Sequence, residues 1–222
     1  MLLVELPVTE YEKSLEIQTG IVERKIQGGG EDVLLILEHP PTITIGKRGS
    51  HSDVIASEKH LAGRGVSVYS VGRGGGATYH GPGQIVCYPI VNLRRLGFRV
   101  RDYIHGLEET VIRTLDLFGV RGLRQPKMPG VWIDASHKIA SVGVRIRRGV
   151  TSHGLSLNVK MTIDPRELIV VCGMSAVHMV NLVQLVSSPV EMPSVRAALT
   201  ESFGEVFGIS LERASLERVV DR

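Results

Sequence analysis

The segment from Arg73 to Gln84 packs five glycines and one proline into twelve residues. No regular element is expected at that density. An irregular loop must therefore sit between the strand-like run Val66 to Ser70 and the apolar run Ile85 to Val91. Glycine lets backbone approach a ligand closely, and successive N–H groups can surround an oxygen that bears negative charge. The loop also carries a cation (Arg73), a hydroxyl (Thr78) and two amphipathic rings (Tyr79, His80). A plain turn needs none of these, so the loop reads as a binding element. It lacks the Gly-Lys-Ser/Thr of a nucleotide loop. It also misses the Gly-x-Gly-x-x-Gly spacing, and a strand rather than a helix follows it.

Around this loop the pattern alternates between short strand-like runs and amphipathic helices. Leu2 to Leu6 reads as a strand. Thr9 with Glu12 reads as a capping box opening a helix whose Tyr11, Leu15, Val22 and Ile26 face inward, ended by Gly28-Gly29-Gly30. Val33 to Glu38 and Thr42 to Ile45 are β-rich. Asp53 is placed to cap a short helix closing near Gly63. Asp102 is expected to open a helix with an Ile104, Leu107, Val111, Leu115, Phe118 stripe, stopped at Gly119. Three strands are expected at Val131 to Asp134, Lys138 to Arg147 and Thr151 to Val159. The alternation Ile139, Ser141, Gly143, Arg145 suggests a sheet with two distinct faces. Pro193 suits the start of a last helix with Val195, Leu199, Phe203 and Val206 inward. Grouped strands and helices without strict βαβ alternation favour a single α+β domain over residues 1–222, a mixed sheet with flanking helices.

A 43% hydrophobic, 22% charged composition excludes wholesale disorder. The net charge of +3 suits steering toward an acidic partner. That charge and one Arg73-Gly74-Gly75 box are weak support for RNA, and no nucleic-acid partner is expected. Leu168 to Val186 has no formal charge and is long enough to cross a bilayer. Its Gly173, Ser175, His178, Asn181 and Gln184 favour two buried strands with a loop, so no membrane partner is expected. Met1 to Leu6 reads as a strand rather than an export signal, which points to the cytoplasm, where Cys87 and Cys172 stay reduced. Cys87 reads as a core thiol. The histidines at 39, 51, 60, 80, 105, 137, 153 and 178 show no ligand spacing with the cysteines, so no metal is expected. Glu108 and Glu109 read as solvated helix charges. By themselves, Lys138 reads as a solvated strand lysine and Cys172 as a buried core thiol.

Four ordered segments change that reading: Arg73-Gly74-Gly75-Gly76-Ala77-Thr78-Tyr79-His80-Gly81-Pro82-Gly83-Gln84, Lys138-Ile139-Ala140-Ser141-Val142-Gly143, His153-Gly154-Leu155-Ser156-Leu157-Asn158 and Cys172-Gly173-Met174. Together they resemble the lipoyl(octanoyl) transferase family over nearly the whole chain, from about residue 30 to 210. The resemblance implies a fold like the catalytic domain of biotin and lipoate protein ligases. It implies octanoyl transfer from octanoyl-acyl carrier protein to a lysine of lipoyl domains, those of 2-oxoacid dehydrogenase E2 subunits and the glycine cleavage H protein. It implies Cys172 as acyl-accepting thiol and Lys138 as the lysine beside it. No cofactor is expected, since no nucleotide motif is present, and a monomer is expected although the sequence does not say whether the chain dimerises. The substrate would be lined by Arg73, Gly74, Gly75, Gly76, Ala77, Thr78, Tyr79 and His80, by Ser141, Val142 and Gly143, and by Gly154, Leu155 and Ser156. His80 and His153 would orient loops or contact the acyl carbonyl. Gly76 replaces a commonly larger polar residue and Met174 a frequent isoleucine, which leaves acyl-length preference open.

The chemistry suits these residues. Passing an acyl group from a thioester to an amine is downhill, and a cysteine nucleophile splits it into two easier steps. The reactive form is the thiolate. An ammonium about 4 Å away, at an effective dielectric near 20, favours it by at most roughly 4 kcal/mol. That is up to about three pKa units before desolvation subtracts. The same lysine can then take a proton from the incoming amine. Two enzymes of the same fold remain as alternatives, an ATP-dependent lipoate ligase and an octanoyl amidotransferase. So does a non-catalytic binder of acidic protein or RNA.

Overall fold

The structure, a computed structural model, describes residues 1–170 and 177–220. Its main sheet is mixed. β1 (Leu2–Val8) pairs in parallel with β2 (Val33–Glu38), and β2 pairs antiparallel with β6 (Gln84–Ile90). The ladder continues through β10 (Val150–Asn158), β9 (His137–Arg147), β8 (Met128–Trp132) and β7 (Leu123–Gln125). Two short strands join in parallel, β12 (Glu212–Arg213) on β1 and β11 (His178–Met179) on β9. A smaller sheet places β3 (Thr42–Ile45) between β4 (Ser67–Ser70) and β5 (Ala77–His80).

Both faces of the main sheet are covered, which explains why β2 and β6 are apolar without alternation. On β2, Leu34 and Ile36 point to one face, Leu35 and Leu37 to the other, and all are fully buried. The first face packs against α3 (Val100–Asp116) and α4 (Met192–Phe207) through Tyr103, Leu107, Val111, Leu115, Val195, Leu199 and Phe203. The second packs against α1 (Tyr11–Ile26) and α5 (Leu216–Val220) through Ile17, Ile21, Val22 and Val219. A third cluster joins the small sheet to Trp132, Met161 and Leu168. This is the expected α+β arrangement. None of the described helices is long and apolar enough to cross a membrane.

Several local expectations are corrected. No capping box opens α1. Thr9 N bonds to Glu38 O (2.9 Å) and its hydroxyl donates to Pro7 O (2.8 Å), so the helix starts after Glu10. Leu15 is half-buried, and Ser14 and Gln18 take the inward stripe instead. Asp53 closes a short 3₁₀ turn, while Ser57 caps α2 (Glu58–Gly63). α3 begins at Val100, two residues before Asp102, and Glu108 on it is buried (5% exposed) rather than solvated. The second half of the glycine-rich stretch is the regular strand β5, because pairing with β3 from Ile45↔Ala77 to Thr42↔His80 outweighs its local composition. Between Leu168 and Val186 the described residues form no pair of long strands. They give a single bridge of Ile169 to Val54, the two-residue β11 and a 3₁₀ turn at Leu182–Gln184.

Candidate active site

A cavity of about 370 Å³ opens where the small sheet meets β9 and β10. Arg73, Gly75, Gly76, Ala77, Thr78 and His80 line it from the glycine-rich side. Lys138, Ser141, Val142 and Gly143 line it from β9, and His153, Gly154, Leu155 and Ser156 from β10. Segments separated by up to some eighty positions in the chain thus share one wall. Gly74 and Tyr79 do not line it. Gly74 N donates to Val144 O (2.9 Å), pinning the loop to β9. Tyr79 lies in the small-sheet core, since strand alternation sends it away from the Thr78 and His80 side. Cys172 lies outside the described residues. The chain on either side of it is tied to cavity residues: Val170 N donates to Asp53 O (2.7 Å) and Val180 N to Lys138 O (3.0 Å).

Lys138 reaches the cavity through a break in strand register. Val131 pairs with Ala140, but the neighbouring Trp132 pairs with Lys138, so Ile139 is an extra residue on β9. Such a bulge puts two consecutive side chains on one side. Ile139 and Ala140 both enter the core against α3, and Lys138 and Ser141 both line the cavity. The simple alternation Ile139, Ser141, Gly143 is therefore wrong at its first member. Lys138 is 2% exposed, and its ammonium donates to Pro129 O at 2.9 Å. The Ser141 hydroxyl has no hydrogen-bond partner among the described residues although it is buried in the cavity wall.

Arg73 is likewise buried. Its Nη2 donates to Thr44 O and Oγ1 (both 2.7 Å), Nε to Thr44 Oγ1 (3.2 Å) and Nη1 to Gly74 O (3.0 Å). The guanidinium thereby ties the glycine-rich loop to β3 while facing the cavity. Gly143 permits this approach. A Cβ there would sit 3.0 Å from Gly74 O and 3.2 Å from Arg73 Cδ.

A ring cluster of Tyr11, His39, Tyr88, His80 and His153 backs the cavity. Burial lowers His39 to about 4, despite its bond to the Thr9 carbonyl. Burial, with Arg73 and Arg145 nearby, lowers His153 to about 3. Burial first, and then His39, pushes His80 well below its ordinary value. All three are neutral at pH 7, and hydrogen bonds fix the tautomers of His39 and His80. His39 Nδ1 donates to Thr9 O (2.6 Å), so its Nε2 accepts from the Tyr88 hydroxyl (2.8 Å). His80 Nδ1 donates to Gln84 Oε1 (2.8 Å), since Gln84 Nε2 is the donor to Asn158 Oδ1 (3.0 Å). His153 has a positive φ of 55°, and Gln18 Oε1 accepts its backbone N–H at 2.8 Å. Strained backbone of this kind clusters at binding sites. Burial raises Tyr11 to about 12, keeping its phenol protonated. The sequence reading missed Tyr11 and Tyr88 as cavity residues. The signal was available, because a tyrosine on an inward stripe needs a polar partner there. No group of three or more metal-ligating side chains exists among the described residues.

The lipoyl protein ligase A/B catalytic domain family matches residues 10–204. An octanoyltransferase of Alkaliphilus metalliredigens is 37% identical over 209 residues, covering 94% of this chain and 95% of its own. Among solved structures, a bi-partite lipoate protein ligase from Thermoplasma acidophilum superposes with a TM-score of 0.72 at 17% identity, covering 100% of this chain and 91% of its own. Biotin protein ligase from Aquifex aeolicus follows with a TM-score of 0.55 at 13% identity, covering 93% and 70%. At those identities the structures establish the fold alone. The motifs, the matched domain and the full-length relatives together place the chain in the lipoyl(octanoyl) transferase family, as an acyltransferase.

Proposed function

We propose that the chain, acting as a single catalytic domain, moves an octanoyl group from octanoyl-acyl carrier protein to a lipoyl-domain lysine through a thioester on Cys172. The observation that carries this reading is the buried Lys138 ammonium in the wall of a 370 Å³ cavity. That volume falls in the ordinary range for a small-molecule site. The Ser141 hydroxyl beside it, without a partner among the described residues, suits a donor to the acyl carbonyl oxygen. The tethering of Val170 to Asp53 and of Val180 to Lys138 favours Cys172 as the thiol that meets this lysine.

In the first step the Cys172 thiolate attacks the donor thioester carbonyl. The carrier sulfur leaves and takes a proton from the Lys138 ammonium. In the second, the acceptor amine attacks the Cys172 thioester, Lys138 accepts the amine's proton, and the thiolate is released as the amide forms. The pair returns to its starting charges. Lipoyl domains as acceptors fit the relatives' named activity, and a cytoplasmic setting fits a reduced Cys172.

Intact mass after incubation with octanoyl-acyl carrier protein, with and without ATP, tests this. An octanoyl adduct on Cys172 without ATP, discharged by a lipoyl domain, is expected. Modification of the lipoyl domain only with ATP would replace the reading by a ligase. Silence in both conditions would leave only the binder.

A further inference from the structure

One peptide group links a buried carboxylate to the Lys138 ammonium. The Pro129–Gly130 peptide is trans, so its N–H and C=O point to opposite sides. On one side Gly130 N donates to Glu108 Oε1 at 3.0 Å. On the other, Pro129 O accepts from Lys138 Nζ at 2.9 Å. Glu108 is 5% exposed on α3, and its second oxygen meets Arg124 Nε at 3.3 Å. Arg124 is itself clamped by Glu109 (2.6 Å) and His105 O (3.2 Å). The Gly130 backbone needs this residue type. Its φ is +123°, and a Cβ there would fall 2.4 Å from Ala140 O and 2.6 Å from Lys138 Cε.

We infer that Glu108 is a positioning residue of the Lys138 amine, acting through the Pro129–Gly130 peptide. A carboxylate on the N–H side polarises the peptide and makes its carbonyl a stronger acceptor for the ammonium on the far side. A helix residue on the sheet face opposite the cavity thereby sets where the ammonium stands inside it. This rests on the assignment of Lys138 above. A purely structural Glu108 would tie α3 to β8 and do nothing else.

The test compares Glu108→Leu, Glu108→Gln and Lys138→Ala in the full chain. It reads kcat and KM for octanoyl transfer, Tm, and the pH profile of iodoacetamide alkylation at Cys172, located by peptide mass. Glu108→Leu is expected to lower kcat about 10- to 100-fold, as ångström-scale misplacement does, with KM little changed. Its alkylation profile should move toward that of Lys138→Ala. Glu108→Gln, which keeps an oxygen for Gly130 N–H but not the charge, should recover part of both. A wild-type profile in Glu108→Leu, while Lys138→Ala shifts, would reduce Glu108 to a structural tie and overturn the inference alone. An unshifted Lys138→Ala profile would remove the Lys138 assignment and the inference with it. Should Glu108→Leu fail to fold, Arg124→Leu decides: a smaller shift in the same direction supports the relay, and none overturns it.

Discussion

Trp132 stands opposite Lys138 across β8 and β9, with the ammonium 5.1 Å from the centre of the indole ring. Desolvated cation–ring contacts of this kind contribute about 2 kcal/mol. Together with the Pro129 carbonyl, the ring helps hold a cation in the cavity wall. Replacing Trp132 by leucine should therefore lower transfer activity as well as stability, read as kcat and Tm on one preparation. A stability loss of about 3 kcal/mol or more with unchanged kcat would confine Trp132 to packing.

Lys138→Ala should slow alkylation of Cys172 near neutral pH and displace its pH profile upward, because the thiolate loses its neighbouring cation. Turnover should fall by about 100-fold or more, in line with loss of a proton-transfer group. An unchanged profile would strip Lys138 of its role.

Ser141→Ala removes a hydroxyl that has no partner among the described residues, so folding should be nearly unaffected. If the hydroxyl meets the acyl oxygen as it gains charge, kcat should fall about 100-fold with little change in KM. A variant with wild-type kcat would exclude it as that donor.

Arg73→Lys should fail to rescue the defect of Arg73→Ala. A single ammonium cannot reproduce the fork by which Nε and Nη2 hold Thr44 Oγ1 at 3.2 and 2.7 Å while Nη1 reaches Gly74 O at 3.0 Å. Turnover of the two variants should agree within about threefold, against wild type. A fully active lysine variant would mean that charge alone matters at this position.

Acid should destabilise the protein progressively below about pH 6.5. His39 and His153 are neutral in the fold, with values near 4 and 3, and an unfolded histidine sits near 6.5. The folded values are depressed bases, so the unfolded state binds the extra protons. Stability is full above about 6.5 and is lost as pH falls toward each folded value, by about 1.4 kcal/mol per pH unit for each histidine. Urea midpoints between pH 7 and pH 4 measure the slope. His39→Gln, which keeps one donor and one acceptor, should flatten it.

The sequence by itself determined the strands and helices that own a strong local pattern. Val33–Glu38 and Thr42–Ile45 were placed at their observed limits, since a run of β-branched and aliphatic residues bounded by proline leaves the backbone little choice. The parts of the cavity wall on the glycine-rich loop, β9 and β10 were also legible, through their motifs rather than their periodicity, whereas Tyr11 and Tyr88 were not. What only the tertiary structure decided were the features made by partners distant in the chain. Ala77–His80 became a strand because β3 offered it a ladder. Glu108 was drawn inward because the Gly130 amide lies there and the exposed Arg124 reaches its second oxygen, which no spacing within α3 announces. Lys138 turned to the cavity because a single unpaired residue, Ile139, reversed the parity of β9. A strand's two faces differ by one residue, and the register that chooses between them is set by the neighbouring strand, not by the strand's own sequence.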